Sequence, residues 1–186
     1  MKKEITTQTL KLKGKTAVFI DWANVYGWTK TLEREVDPQK LFKYLSSYSE
    51  VKSINFYFGT DRHPKSILFL EQIKEIGYRL VTKPVKHITI AKIRGELITQ
   101  RKCDFDIEIV MDIYARLEKD FDTFVFFTGD GDFEPIYKYL IDKRKQVVVI
   151  YAKGHLGKEI WEIRRGIFKV KIKELPVLGN KLTRDL

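Results

Sequence analysis

The chain has 186 residues, a mass of 22.0 kDa and 44% apolar residues, which suits one compact domain and is too apolar for disorder. A single cysteine excludes an internal disulfide framework, no Cys/His cluster has zinc-ligand spacing, and no apolar run approaches the roughly 18 residues of a membrane span. Thirty-five Lys and Arg against 25 Asp and Glu give a net charge of +10, which fits a polyanion partner or simply a basic surface.

The first residues, MKKEITTQTLKLKGK, are polar and lack the apolar centre of a secretion signal, so a cytoplasmic, reduced, soluble protein with no membrane contact is expected. Thr16 to Ile20 then reads as a buried strand, followed by strands at Val51 to Phe58, Tyr78 to Thr82, Phe121 to Thr128 and Gln146 to Tyr151. Between them, Pro38 to Ser47, Pro64 to Ile76, Asp104 to Lys119 and Phe133 to Lys143 have helical spacing or composition. Asp37 before Pro38 is a good N-cap followed by proline at the first helical position. Strands that are apolar throughout and alternate with helices predict an α/β fold, its parallel sheet covered on both faces. The segment from Lys83 to Lys102 carries Lys83, Lys86, Lys92, Arg94, Arg101 and Lys102 against the single acid Glu96. It reads as an extended hairpin or a basic loop, either a nucleic-acid flap or a solvated insertion.

Open parallel sheets bind ligands at the carboxyl ends of their strands. Two of those ends carry acids: Phe19-Ile-Asp21-Trp-Ala-Asn24 after the first strand, and Thr128-Gly-Asp130-Gly-Asp132-Phe133 after the fourth. Alone, Asp132 reads as a helix cap. Several acids converging on one sheet edge repel one another unless a counter-charge is present. Hard oxygen donors select Mg²⁺ or Mn²⁺, ions that neutralise charge growing on a phosphodiester.

The helix from Asp104 offers a third source of acid. At about 100° per residue, Phe105, Ile109, Val110, Ile113 and Leu117 form its apolar stripe. Asp106 falls within that stripe, Asp112 lies at its edge, and Asp104 and Glu108 point away. A carboxylate facing the core is costly unless paired or metal-bound, so Asp106 is the first candidate from this helix and Asp112 the second. Asp112 has an equally good reading as an acid paired with a Lys or Arg. Cys103 reads as a small core residue.

Together these motifs resemble the NYN domain family, a LabA-like branch of the PIN-like metal-dependent nucleases. The resemblance rests on Phe19 to Asn24, Phe56-Tyr-Phe-Gly59, His63-Pro64-Lys65, Asp104-Phe-Asp106 with Asp112, Thr128 to Phe133, and the tail from Lys158 to Phe168. It spans about residues 15 to 175, with residues 1–14 and 176–186 as flanks. It implies a single three-layer α/β/α PIN-like domain with a mostly parallel sheet of five or six strands, and Mg²⁺- or Mn²⁺-dependent ribonuclease activity. By position it implies Asp21, Asp106, Asp130 and Asp132 as the acidic cluster, Asn24 orienting water or phosphate, and Asp112 as a further acidic ligand. Many relatives carry a Lys three residues before the helix Asp, where this chain has Cys103, with Lys102 one residue earlier.

The leading expectation is thus an endonuclease for single-stranded RNA, its strand held by Lys83, Lys86, Arg94, Arg101, Lys102 and Arg164. Its rivals are an inactive RNA-binding or scaffold protein of the same fold, and a phosphatase or phosphoacceptor domain. The last lacks Asp-x-Asp after the first strand, where residue 23 is Ala, although Lys153 follows the fifth strand. Monomer and homodimer are both open. Trp22 reads as buried packing or as a base-stacking ring.

Overall fold

The structure, a computed structural model, describes residues 9–93 and 96–181. Its central sheet has six strands, in order β4(Arg79–Pro84), β3(Val51–Thr60), β1(Thr16–Asp21), β7(Thr123–Phe127), β8(Gln146–Tyr151) and β9(Ile167–Lys171). Every pairing in it is parallel. Ile167 to Lys171 is the sixth strand, where the sequence left five or six open.

Alternation along the strands divides the core in two. Val18, Ile20, Phe56, Val125, Phe127, Val148 and Ile150 face one side, under α1(Trp22–Gly27), α3(Pro38–Ser46) and α4(Pro64–Ile76). Ala17, Phe19, Phe124, Phe126, Val147 and Val149 face the other, under α5(Asp106–Leu117), α6(Glu134–Asp142) and α7(Lys158–Glu162). This is a three-layer α/β/α domain, and both faces of each central strand are dry, as the continuous apolar runs require.

Two features depart from the sequence reading. A six-residue helix, α1, starts immediately after Asp21, followed by a single turn, α2(Thr29–Leu32). Both are too short for periodicity to register. The flanks are part of the fold: Leu10 and Val177 are buried, the Lys13 N–H donates to Gln146 Oε1 at 2.9 Å, and β10(Leu178–Lys181) pairs antiparallel with β2(Arg34–Val36). Of the two readings of the basic segment, the hairpin is the one observed: β5(Lys86–Ile93) pairs with β6(Glu96–Lys102) in a sheet of its own.

From β1 the chain moves outward to β3 and β4, then returns to place β7 on the other side of β1. The order therefore reverses between β1 and β7. Loops leaving the carboxyl ends of two such strands diverge and open a crevice, the usual ligand position in this architecture.

Candidate active site

Asp21 closes β1 and caps α1, its carboxylate accepting the Asn24 N–H at 3.4 Å. Across the crevice, the turn after β7 is built around Asp130. The Asp130 N–H donates to Thr128 Oγ1 at 3.2 Å, and the Asp130 carboxylate accepts the Asp132 N–H at 3.1 Å, capping a 3-10 turn over Gly131–Phe133. The cap is thus Asp130 and not Asp132. The two walls are tied by Asn24, whose side-chain carbonyl accepts the Gly129 N–H at 3.3 Å.

The glycines of this turn are required by space. A Cβ on Gly129 would run into the His155 carbonyl oxygen, and one on Gly131 into the Glu159 carboxylate. The Gly157 N–H donates to the Gly129 carbonyl at 2.7 Å, which fastens the turn to the loop before α7.

Asp106 opens α5 and approaches from the second helical layer. Burial pushes the Asp21 carboxyl up to about 6, against the opposing pull of the Asn24 N–H, and the charges of Asp106 and Asp130 add to the rise. The Asp106 carboxyl is likewise raised, by burial first and then by Asp130, Asp104 and Asp132, with Lys83 opposing. Asp21, Asp106 and Asp130 therefore share one electrostatic environment. Asp132 is exposed on its rim. Among the described residues, no three acids, histidines or cysteines stand close enough to hold a metal ion directly.

The other expected site residues go elsewhere. The structure does not bring Asp112 to this cluster. Six residues along α5, it accepts the Tyr57 hydroxyl at 2.8 Å, pairs with Arg79 at 2.9 Å and lies 3.4 Å from Arg116. Its reading as an acid paired with arginine is the one observed, because the buried Arg116 guanidinium needs a carboxylate. Lys83 places its ammonium 2.8 Å from both Glu108 oxygens and above the Phe105 ring, so it acts as a counter-charge beside Asp106. Lys102 is exposed and pairs with Asp104 at 3.7 Å. Lys86 and Arg164 are exposed. Arg94 and the Arg101 side chain lie outside the described residues. Trp22 is buried and packs against Phe56 and Phe69. Burial raises the Cys103 thiol, as befits a packing residue.

Sequence reasoning missed two groups. The Tyr137 hydroxyl, on α6, is buried without a hydrogen-bond partner among the described residues. Burial, and then the charges of Asp130 and Asp21, hold it well above the usual tyrosine range, so it adjoins the acidic cluster. Glu159, on α7, places its carboxylate against Gly131. The helical spacing marks Tyr137 as core, and nothing in it reveals what its hydroxyl faces.

Fold and site together define a three-layer α/β/α protein of PIN-like architecture, with acids gathered where the sheet changes direction. Residues 15–162 match the NYN domain, and the chain belongs to that family. It is 30% identical over 146 residues to the low amplitude and bright protein LabA of Synechococcus elongatus, covering 77% of each chain. A crystal structure of a protein of unknown function from Vibrio parahaemolyticus superposes with a TM-score of 0.67 at 20% identity, covering 92% of this chain and all of that one, and shares its fold.

Proposed function

We propose that this protein hydrolyses phosphodiester bonds of single-stranded RNA, using Mg²⁺ or Mn²⁺ held between the ends of β1 and β7. One observation carries the reading: Asp21 lies at the end of β1 within the field of Asp106 and Asp130, and burial first, with those two charges adding, pushes its carboxyl up to about 6. A site that stabilises its own carboxylates so poorly is suited to a dication.

The donor set fits such an ion. It consists of oxygen atoms alone, which suits Mg²⁺ and Mn²⁺ over softer metals. Among the described residues no three acids meet at one point, so an ion held here would keep several of its waters. The unpartnered Tyr137 hydroxyl supplies a donor and acceptor for such a water. Bound there, the dication would neutralise charge developing on the phosphate and make a water more acidic.

The chain's own residues do the rest. Asp21 and Asp130 hold opposite walls of the crevice, and Asp106 closes the third side. Thr128 fixes the Asp130 backbone, and Asn24 sets the spacing between the walls. Lys83, beside Asp106, limits the total negative charge that an incoming phosphate meets. Exposed Lys86, Lys102 and Arg164 contribute to a basic surface for the strand. Hydrolysis with departure of the 3′-oxygen leaves a 5′-phosphate and a 3′-hydroxyl. The single free thiol of Cys103 agrees with a cytoplasmic setting.

The test is cleavage of end-labelled single-stranded RNA with Mn²⁺ and with EDTA. Cutting by wild type in Mn²⁺ alone, lost in Asp130→Asn, supports the reading. Equal cutting by wild type, Asp130→Asn and the EDTA control rejects it. Salt-dependent binding that survives Asp21→Asn, with no cutting under any condition, assigns the protein to RNA binding without turnover.

A further inference from the structure

On the other flank of α1, toward β3, the structure holds a groove of about 1070 Å³. It lies between α1, the first turns of α3 and α4, and the β2–β10 ribbon. Because Trp22 lines it and Asp21 is the preceding residue, the groove adjoins the acidic crevice along the same sheet edge.

Its floor is aromatic. Trp22, Phe58 and Phe69 pack ring against ring, at 5.4 Å for Trp22 with Phe69 and 5.2 Å for Phe58 with Phe69. One turn after Trp22, Tyr26 stands on the rim with 63% of its surface exposed, a large ring left in water at the mouth of an apolar groove. Its neutral polar lining includes three amides, Gln39, Gln72 and Asn180, beside Thr29, Ser66 and His63. Each amide both donates and accepts, the pattern that reads the edge of a nucleobase. The charged lining has no cationic excess, with Lys65 and Lys181 alongside Glu35, Asp37 and Asp61. Such a groove is poorly suited to phosphate and well suited to a neutral, flat, hydrogen-bonding ring.

We infer that this groove takes one unstacked base of a single-stranded RNA, with Tyr26 stacking on it and the Gln39, Gln72 and Asn180 amides meeting its edge. The identity of the strand rests on the proposed nuclease reading, whereas recognition of a base does not. Exposed bases of single strands are commonly held by aromatic stacking together with edge contacts.

The test measures binding by the full chain in EDTA, where no metal-dependent cutting occurs. Fluorescence anisotropy follows a labelled RNA hexamer, the same hexamer with one abasic position moved along it, and competing adenosine and uridine monophosphates. Tyr26→Ala should weaken the intact hexamer by about tenfold, while Tyr26→Phe retains binding. One abasic position should weaken wild type by a similar factor and add nothing to Tyr26→Ala, since both remove the same contact. Tyr26 is exposed, so its removal should leave the melting temperature unchanged. Equal binding by wild type and Tyr26→Ala, or additive losses with every abasic position, overturns the inference. Monophosphates that compete as tightly as the intact hexamer overturn the assignment to a strand. Loss of binding in Tyr26→Ala with no RNA cutting by wild type sinks the nuclease reading and keeps the groove. Mn²⁺-dependent cutting with Tyr26→Ala binding unchanged does the reverse.

Discussion

The Asn24 side-chain carbonyl accepts the Gly129 backbone N–H at 3.3 Å, joining the loop after β1 to the loop after β7. It is the direct link between the two acidic motifs. Asn24→Ala leaves the Gly129 N–H without its partner and should cost about 1 kcal/mol in chemical denaturation. The loss of RNA cleavage should be larger than that, because the spacing of Asp21 and Asp130 is no longer set. Unchanged cleavage would remove Asn24 from the site.

The raised Asp21 carboxyl gives stability a defined pH dependence. With a folded value of about 6 against 3.8 for a free side chain, the folded state binds this proton more tightly than the unfolded chain. Its favourable contribution is complete below pH 3.8 and is lost as pH rises through about 6, a loss of about 2 to 3 kcal/mol. Asp21→Asn keeps an N-cap and removes the charge. In EDTA its stability relative to wild type should therefore grow between pH 4 and pH 7, measured by urea denaturation at each pH. In Mn²⁺ the order should reverse above pH 6, since wild type alone gains from the ion. A pH-independent difference between the two proteins would contradict the buried acid.

Asp112 should behave as a stability residue. Asp112→Ala strands the buried Arg116 guanidinium, which retains Asn55 Oδ1 at 3.1 Å and no carboxylate partner in the network described. We expect a loss of about 3 kcal/mol. The rise in melting temperature produced by Mn²⁺ should be preserved. Loss of that rise in a folded Asp112→Ala protein would return Asp112 to the metal site.

Two glycines should respond in opposite ways. Gly129→Ala drives a methyl group into the His155 carbonyl and should abolish metal response and cleavage together, with a distorted or unfolded domain by circular dichroism. Gly27 ends α1 with no atom near its Cβ direction, so Gly27→Ala should be neutral or stabilising by about 0.5 kcal/mol. An intact, active Gly129→Ala protein would show that the turn has room the structure denies.

Much of the architecture is legible in the sequence because its signals are local. The runs around Val18, Val125 and Val148 are apolar on both faces, and only a buried parallel strand needs that. Asp21 and Asp130 stand out because aspartate closes one such run and stands in the turn just after the other. Ile109 and Ile113 fix the inner face of α5, and Asp106 follows from them. Other features depend on partners far apart in the chain. Arg116 is buried because Asn55 and Ser53 on β3 meet it from the sheet, alongside Asp112 of its own helix. Lys83 resembles any basic residue of its segment until Glu108 is seen to hold it. The groove beside α1 draws its lining from several separate segments, none with a pattern of its own.

The wholly parallel sheet also constrains how the chain reaches its native state. Thr16 pairs with Val51 on one side and with Thr123 on the other, so β1 cannot gain both neighbours until most of the polypeptide has been made and brought back to it. No tight hairpin nucleates the central layer. Each of its pairings must close a long loop before any contact compensates, which places refolding in the slow range for small domains, milliseconds to seconds. Until β7 docks, the apolar edge of β1 is open to other molecules, and refolding yield should fall as protein concentration rises.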